Sequence, residues 1–429
     1  MTRVLVVGGG GREDAICRAI AGSGSEIYSA SKNQNPSIMR LSKDHLISEE
    51  TDVEKILRFA TDRHVDIAII GPDPVLNTPL ADRLWQSGIP VGSPSLSAAR
   101  IETSKEYMRN LLNRHSIKGN LFNRTFSDES ELEKFILSFD SPFVVKPIGL
   151  TGGKGVRVMG DHFTTPVEGL HYAMEVLRKD GRVLIEERVR GEEFSLQVFT
   201  DGEHVAPMPL AQDYKRAYDG DMGPNTGGMG SITDSDHSLP FIKNSTLDAA
   251  RAIVSEIVKS MKSEGNIFRG IMYAQFMQTS SGPKVIEINA RFADPEGINV
   301  LTILEDNLTD ILFRITDGTL KQFVDFRDVA TTLKYIVPVG YGSSPEPGNL
   351  TIEEIHDPNV RVYYGSVSGT LDSVMMSSSR ALAVIAESDT ISHASELVER
   401  NLSHIKGRYY VRHDIGSEDM IKRKIMGSA

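Results

Sequence analysis

Two lysines flanking a glycine-rich turn are the first residues able to do chemistry. Lys146 closes the apolar run 143–145, and the chain continues Pro147-Ile148-Gly149-Leu150-Thr151-Gly152-Gly153-Lys154-Gly155. Cations on either side of pliant glycines suit a polyphosphate: the ammonium groups offset its charge, and the turn can fold over it. The segment is not a Walker A loop, because Gly155 rather than Ser or Thr follows Lys154. Taken alone, it also reads as an exposed basic hairpin. Glu287 and Asn289 alternate with Ile286 and Ile288, so both polar side chains project from one side of an otherwise apolar strand. An acid in that setting needs a partner, and a divalent cation suits carboxylate and amide oxygens. Gln275, also between apolar neighbours on the preceding run, can face the same ion. Arg291 and Asp294 follow directly, the arginine able to offset charge developing on a phosphoryl group. An exposed hairpin face is the plainer alternative.

Three further segments carry weaker signals. Gly8-Gly9-Gly10-Gly11-Arg12-Glu13 lies between an apolar run and a helical pattern. Backbone N–H groups and a helix N-terminus can hold an anion there, with Arg12 adding charge. The dinucleotide fingerprint is broken, since its third glycine position falls on Glu13 or Asp14, and a tight turn is the alternative. Residues 186–193 (EERVRGEE) follow the apolar run 183–185. A strand turning into a polar linker offers main-chain groups to an adenine edge and a later carboxylate to ribose, although acidic strand ends are usually just solvated. Residues 212–216 (QDYKR) and 223–230 (GPNTGGMG) form a polar, glycine-dense stretch too long for a simple turn, which favours a functional loop.

These segments need elements to hold them. Over the first hundred residues, apolar runs at 4–7, 26–30, 66–70 and 89–91 alternate with helical patterns at 13–21, 52–63 and 81–86. That alternation predicts a parallel sheet with helices on its faces and ligands at the carboxyl ends of its strands. A helix over about 103–118 is capped by Thr103 or Ser104. From Phe143 onward, closely spaced strand patterns (143–147, 155–159, 182–187, 192–199) predict an antiparallel α+β module. After a helix near 246–262, the runs 271–278 and 284–289 read as a hairpin with a five-residue turn. Short strands and a helix near 391–402 follow residue 325. The fold class expected is α/β and α+β, with a Rossmann-like parallel-sheet domain over 1–102, a central domain over 103–325 and a small β-rich domain over 326–429.

The composition is that of a folded globular chain: 429 residues, too many for one core, 40% apolar and 24% charged. No apolar run approaches the ~20 residues that span a bilayer, and the first residues lack a signal-peptide core. A single cysteine, Cys17, excludes an internal disulfide and fits the cytoplasm. A net charge of −11 argues against a general nucleic-acid binder.

Together the segments GGGGRE, IGPD, VVK…GGKGV, IEE…GEE, QDYKR, GPNTGGMG and VIEINARFADPE resemble, in order and over nearly the whole chain, the glycinamide ribonucleotide synthetase family of the ATP-grasp superfamily. The resemblance implies a pre-ATP-grasp domain, an ATP-grasp fold with a mobile lid over about 120–190, and a C-terminal domain. Lys105, Lys146 and Lys154, with Gly152 and Gly153, would bind the ATP phosphates. Glu186 and Val189 would lie near the base and Glu193 on the ribose. Glu287 and Asn289 would bind Mg²⁺ or Mn²⁺, with Gln275 a weaker candidate. Asp213, Arg291 and Asp294 would carry the catalytic site for glycine and its acyl phosphate. Gly10, Gly11, Arg12, Glu13, Lys215, Pro224, Asn225, Thr226 and Gly227 would bind 5-phosphoribosylamine and its surroundings. The implied reaction activates glycine as glycyl phosphate and transfers it to the amine, without nucleic acid, membrane or covalent enzyme intermediate, in a monomer or small homo-oligomer.

Four positions depart from the family pattern: Asp14, Ser31-Lys32-Asn33, Gly297-Ile298 and Ser378-Ser379-Arg380, all on the acceptor and glycine side. The competing readings are an ATP-grasp ligase for another acid and amine, a nucleotide-binding regulator and, on the glycine loop alone, a nicotinamide-linked oxidoreductase.

Overall fold

The computed structural model describes residues 1–150 and 155–427. The N-terminal sheet is wholly parallel, in the order Ser42–Ile47, Glu26–Ser31, Arg3–Val7, Ile67–Ile70. Its central strands are buried on both faces: Val4, Val6, Ile67 and Ile69 pack to one side, Leu5, Val7, Ala68 and Ile70 to the other. Double burial is why these strands read as continuous apolar runs. The helix Val53–Asp62 starts as expected at Asp52, whose carboxylate accepts from the Lys55 N–H at 3.2 Å. The edge strand Ser42–Ile47 and the helix Pro36–Leu41 were invisible in the sequence. SKDHLI has no alternation because neither face of that strand is fully buried. The expected strand at 89–91 contributes a single bridge, Val91 to Ala68, since Pro90 has no N–H to extend a ladder.

Ser104 caps the helix Lys105–Arg114 through the Tyr107 N–H, and the short helix Arg100–Thr103 precedes it. An antiparallel sheet follows, in the order Asn123–Phe126, Val183–Glu187, Phe143–Pro147, Arg157–Val158. The helices Glu129–Ser138 and Pro166–Asp180 cover one face and close a separate core around Phe126, Leu132, Phe143, Ala173 and Ile185.

A second antiparallel sheet runs Val205–Pro207, Glu192–Thr200, Gly270–Thr279, Gly282–Asn289. Its hairpin turn is tighter than the expected five residues. Thr279 pairs with Gly282, and Gly282, at φ +101°, takes the left-handed conformation that lets the chain reverse over Ser280 and Ser281. A bulge between Gln275 and Phe276 sets the register that matters: Gln275 faces Glu287 and Tyr273 faces Asn289, all on one side.

The remaining five-stranded sheet draws on two distant parts of the chain. Its order is Gln212–Asp213, Gly230–Thr233, Ala330–Ile336, Leu382–Ser388, Val360–Tyr364. The polar stretch 214–229 is therefore a long excursion between two hydrogen-bonded strands. A four-stranded sheet (Val367–Gly369, Ser373–Met376, Asn349–Ile352, Ile405–Gly407) and the helix Ile391–Asn401 complete this part. A last helix, Glu418–Gly427, was not anticipated. No helix among the described residues is long and apolar enough to cross a membrane.

Phe143 is fully buried against Phe139 and Phe163, with ring centroids 6.5 and 5.3 Å away. Phe143→Ala is expected to destabilise the module around it by about 3–5 kcal/mol. Hydrogen exchange should then accelerate within residues 120–190 before it does in the strand Gly270–Thr279. Equal acceleration in both places would show that the module has no core of its own.

Candidate active site

The carboxyl ends of the parallel strands, the sheet containing Lys146 and the hairpin face of Glu287 enclose one cleft of about 780 Å³. Arg12, Lys105, Lys146, Val189, Glu193, Asp213, Lys215, Asn225, Thr226, Gly227, Arg291 and Asp294 all reach its wall, as do Glu186, Gln275, Glu287 and Asn289. Gly10, Gly11, Glu13 and Pro224 are not part of that wall. Gly152, Gly153 and Lys154 lie outside the described residues.

One end of the cleft is cationic. Lys105 opens its helix and donates to the Gly149 carbonyl at 2.8 Å; burial lowers its pKa. Lys146, one residue before the end of its strand, has Nζ 2.7 Å from Glu186 Oε2 and 3.4 Å from the Ile286 carbonyl. Glu186 also holds Arg109, at 2.6 Å on one oxygen and 3.1 Å on the other. Burial alone would raise the Glu186 carboxyl, but Arg109 and Lys146 outweigh it and bring it down to about 2. Its carboxylate is thus engaged by cations rather than turned toward a base. Beyond Glu187 the ladder ends, and the Val189 N–H on the cleft wall has no hydrogen-bond partner among the described residues.

The hairpin face supplies oxygen donors. Glu287 is half-buried, and no cation lies within ion-pairing distance of it among the described residues; Asn289 Nδ2 donates to it at 3.3 Å. Burial would raise its pKa, but the fields of Lys215 and Lys146, that hydrogen bond and Lys105 override it and keep the carboxylate charged. An ionised, unpaired acid beside an amide is a fitting donor pair for a hard divalent cation. No group of three or more His, Cys, Asp or Glu able to hold a metal occurs among the described residues, so such an ion would complete its shell from phosphate or water. Gln275 sits opposite Glu287, but its oxygen accepts from Lys215 at 2.6 Å and its amide donates to Glu193 at 2.5 Å.

The third wall gathers acids and arginines. Arg291 Nη2 lies 3.0 Å from Glu102 and its Nε 3.6 Å from Asp73, whose charges outweigh burial and raise its pKa. Glu102 also accepts the Ala290 N–H at 2.5 Å, which ties the arginine's strand end to the short helix. Asp294 accepts from Tyr335 at 2.6 Å and pairs with Arg380 at 3.1 Å. Arg380 donates onward to the carbonyls of Asp294 and Gly227. Asp213 Oδ1 and Glu296 Oε1 are buried without a hydrogen-bond partner among the described residues. Burial, then their mutual repulsion, pushes Asp213 well up, and burial raises Glu296. Gly228, at φ +107°, brings the loop so close that a Cβ there would stand 2.6 Å from Asp213 Oδ1.

The glycine loop is packed rather than open. Arg12 lines the cleft, donating to Glu13 at 2.7 Å and to the Phe292 carbonyl at 3.1 Å. Glu13 is buried and accepts the Gly10 N–H at 2.7 Å; it fills the space a Cβ on Gly71 would need. Asp14 is fully buried, bonded to Ser37 at 2.6 Å and the Tyr364 N–H at 2.8 Å, away from the cleft. Sequence reasoning missed Glu102, Arg109, Glu296 and Tyr335 as parts of the site, and had Asp73 and Arg380 only within the IGPD motif and the Ser378-Ser379-Arg380 departure. Arg109 had a signal, lying one helical turn after Lys105 on the same face. Tyr335 had none, since only tertiary folding brings it across.

Because the Glu186 carboxyl is depressed in the fold, its stabilising contribution is present above the ordinary value near 4.5 and is lost as pH falls toward about 2. Acid titration of unfolding free energy should therefore fall more steeply over that window for the native chain than for Glu186→Gln. Parallel curves would contradict the pairing.

The chain matches phosphoribosylglycinamide synthetase in three consecutive parts: the N domain over residues 2–102, the ATP-grasp (A) domain over 103–297 and the C domain over 331–418. It is 45% identical over 428 residues to phosphoribosylamine–glycine ligase of Pyrococcus furiosus, covering 99% of this chain and 97% of that one. Identity to the Methanothermobacter thermautotrophicus protein of the same name is 46% over 430 residues, covering 99% and 98%. In fold it is similar to the Thermotoga maritima phosphoribosylamine–glycine ligase (TM-score 0.82, 24% identity, 96% and 100% covered). It is also similar to the biotin carboxylase domain of Hydrogenobacter thermophilus 2-oxoglutarate carboxylase in complex with MgADP (TM-score 0.77, 15% identity, 98% and 95% covered). With full-length identity of this order laid over that cleft, the chain belongs to the phosphoribosylglycinamide synthetase family and carries its ATP-grasp fold.

Proposed function

We propose that this protein is a phosphoribosylamine–glycine ligase, which joins glycine to 5-phosphoribosylamine with cleavage of ATP to ADP and phosphate. The observation that carries the reading is one cleft holding Lys146 and Lys105 at one end, an ionised Glu287 beside Asn289 in the middle with no ion-pair partner among the described residues, and at the other end Asp213 and Glu296, each with a buried oxygen that has no hydrogen-bond partner among them. Cations for phosphates, donors for a divalent ion and acids for an ammonium are the three needs of this reaction.

Lys105 and Lys146, with Gly152, Gly153 and Lys154, hold the ATP phosphates, while Val189 offers its N–H to the base and Glu193 its carboxylate to the ribose. Glu287 and Asn289 hold Mg²⁺ or Mn²⁺, which lowers the repulsion between the phosphates and an incoming carboxylate. Gln275 supports them by fixing Lys215 and Glu193. Glycine lies with its carboxylate toward Arg291 and its ammonium toward Asp213 and Glu296, whose free oxygens accept from it. A carboxylate oxygen attacks the γ-phosphorus, the bond to the β-phosphate oxygen breaks, and ADP leaves. The amine of phosphoribosylamine then attacks the acyl carbon, the C–O bond to phosphate breaks, and the amine's surplus proton passes to the departing phosphate or to water. Arg12, anchored by the packed glycine loop, and Lys215 with the Asn225–Gly227 stretch position that amine, and Arg380 holds Asp294 and Gly227 beside it. The module over about 120–190 acts as a lid that keeps water from the acyl phosphate. The chain divides into domains over 1–102, 103–325 and 326–429, in a cytoplasmic monomer or small homo-oligomer.

ADP release should require glycine and phosphoribosylamine together. Stimulation by another acid in place of glycine would assign the same machinery to a different ligation. Glu287→Ala is expected to lower kcat by about 10³-fold or more while the protein stays folded; retained turnover would contradict the metal assignment. Asp213 and Glu296 gain charge as pH rises, so the KM for glycine should fall as pH increases through their raised pKa. Lys215, Arg380, Glu193 and Tyr273 face the same pair and move that pKa. Asp213→Asn should raise the KM for glycine about tenfold or more and flatten its pH dependence.

A further inference from the structure

Arg109 is 1% exposed and spends every side-chain nitrogen. Nε and Nη2 grip Glu186, Nη1 donates to Asn120 at 3.0 Å, and Nη2 also reaches the Ile286 carbonyl at 3.1 Å. Asn120 and Glu186 lie where the chain enters and leaves the module built on Lys146, and Ile286 precedes Glu287. One guanidinium therefore touches both crossings and the strand of the metal donors. The Ile286 carbonyl accepts from Lys146 as well.

The charge count is uneven. Arg109 and Lys146 are two cations sharing one buried carboxylate, at 2.6 and 2.7 Å. A guanidinium does not lose its proton in a protein and matches a carboxylate with two parallel bonds. Glu186 is thus neutralised by Arg109 first, and the surplus positive charge resides on Lys146, the one of the two cations that lines the cleft. Without Arg109, Glu186 and Lys146 would form a closed neutral pair in a poorly solvated place. A phosphate would have to break that pair before it could use the lysine.

We propose that Arg109 is a positioning residue of the ligase: it satisfies Glu186 so that the charge of Lys146 stays available to the nucleotide phosphates. This rests on the reading that Lys146 binds those phosphates. A clip that merely joins the module to the body would give the same contacts but not the same electrostatics, and the two part company when the acid is removed together with the arginine.

The test is the dissociation constant for ATP with Mg²⁺, measured by calorimetry on the full chain. The variants are Arg109→Met, Arg109→Lys, Arg109→Met with Glu186→Gln, and Lys146→Ala, with thermal unfolding as the check of folding. Arg109→Met should weaken ATP binding about tenfold or more, because the phosphate must now open a salt bridge. Adding Glu186→Gln should restore affinity to within about threefold of the native chain, since no acid remains to capture Lys146. Arg109→Lys, which keeps the second cation and loses the fork, should also stay within about threefold. Native affinity in Arg109→Met, no recovery in the double variant, or an Arg109→Lys as weak as Arg109→Met would overturn the proposal. If Arg109→Met does not fold, the double and lysine variants decide by the same limits. Unaltered ATP binding in Lys146→Ala would instead remove the underlying reading of Lys146.

Discussion

Buried charge must be matched by charge, and that constraint organises this molecule's centre. Glu186 is matched twice, by Arg109 and Lys146; Arg291 is matched by Glu102 and Asp73; Asp294 is matched by Arg380. Three places in the cleft depart from that balance. Lys146 carries surplus positive charge, Glu287 is ionised without a partner among the described residues, and Asp213 and Glu296 keep oxygens with nothing to accept from. Each imbalance costs stability in the free protein, since an unpaired polar group in a poorly solvated site is destabilising. In the proposed reaction each is removed by a different part of the substrates.

The architecture brings these imbalances together from distant segments. The parallel sheet presents Arg12 and Asp73 at its carboxyl ends, the antiparallel module brings Lys146, and the bulged hairpin brings Glu287 and Asn289. The five-stranded sheet suspends the 214–229 excursion beside Asp213 and lets Arg380, from the far end of the chain, close the acid wall. Buried salt bridges at the joints are costly to break, and their placement between elements fixes relative position rather than adding much net stability.

Much of this was legible in the residues. Apolar runs announced the inner parallel strands because both faces are buried, and the alternation Ile286, Glu287, Ile288, Asn289 announced a polar pair on one face. Lys146 and part of the excursion at 214–229 reach the same cleft as that pair. What stayed hidden has physical reasons. The edge strand Ser42–Ile47 lacks a buried face and therefore lacks a pattern. The tightness of the 280–281 turn depends on Gly282 adopting a positive φ, which composition does not specify. The family resemblance puts Glu186 near the base, whereas its pairing with Arg109 could not be read from the residues because Arg109 comes from another helix. Asp14 looked like a substituted substrate residue and instead bonds Ser37 and the Tyr364 main chain.

A crystal structure with a non-hydrolysable ATP analogue and Mn²⁺ tests whether cation and phosphates share this cleft, because manganese is located by its anomalous signal. Manganese should be coordinated directly by a Glu287 oxygen, with a bound phosphate within hydrogen-bond reach of Lys146 Nζ. Manganese away from the Glu287 and Asn289 strand, or phosphates that do not approach Lys146, would contradict it.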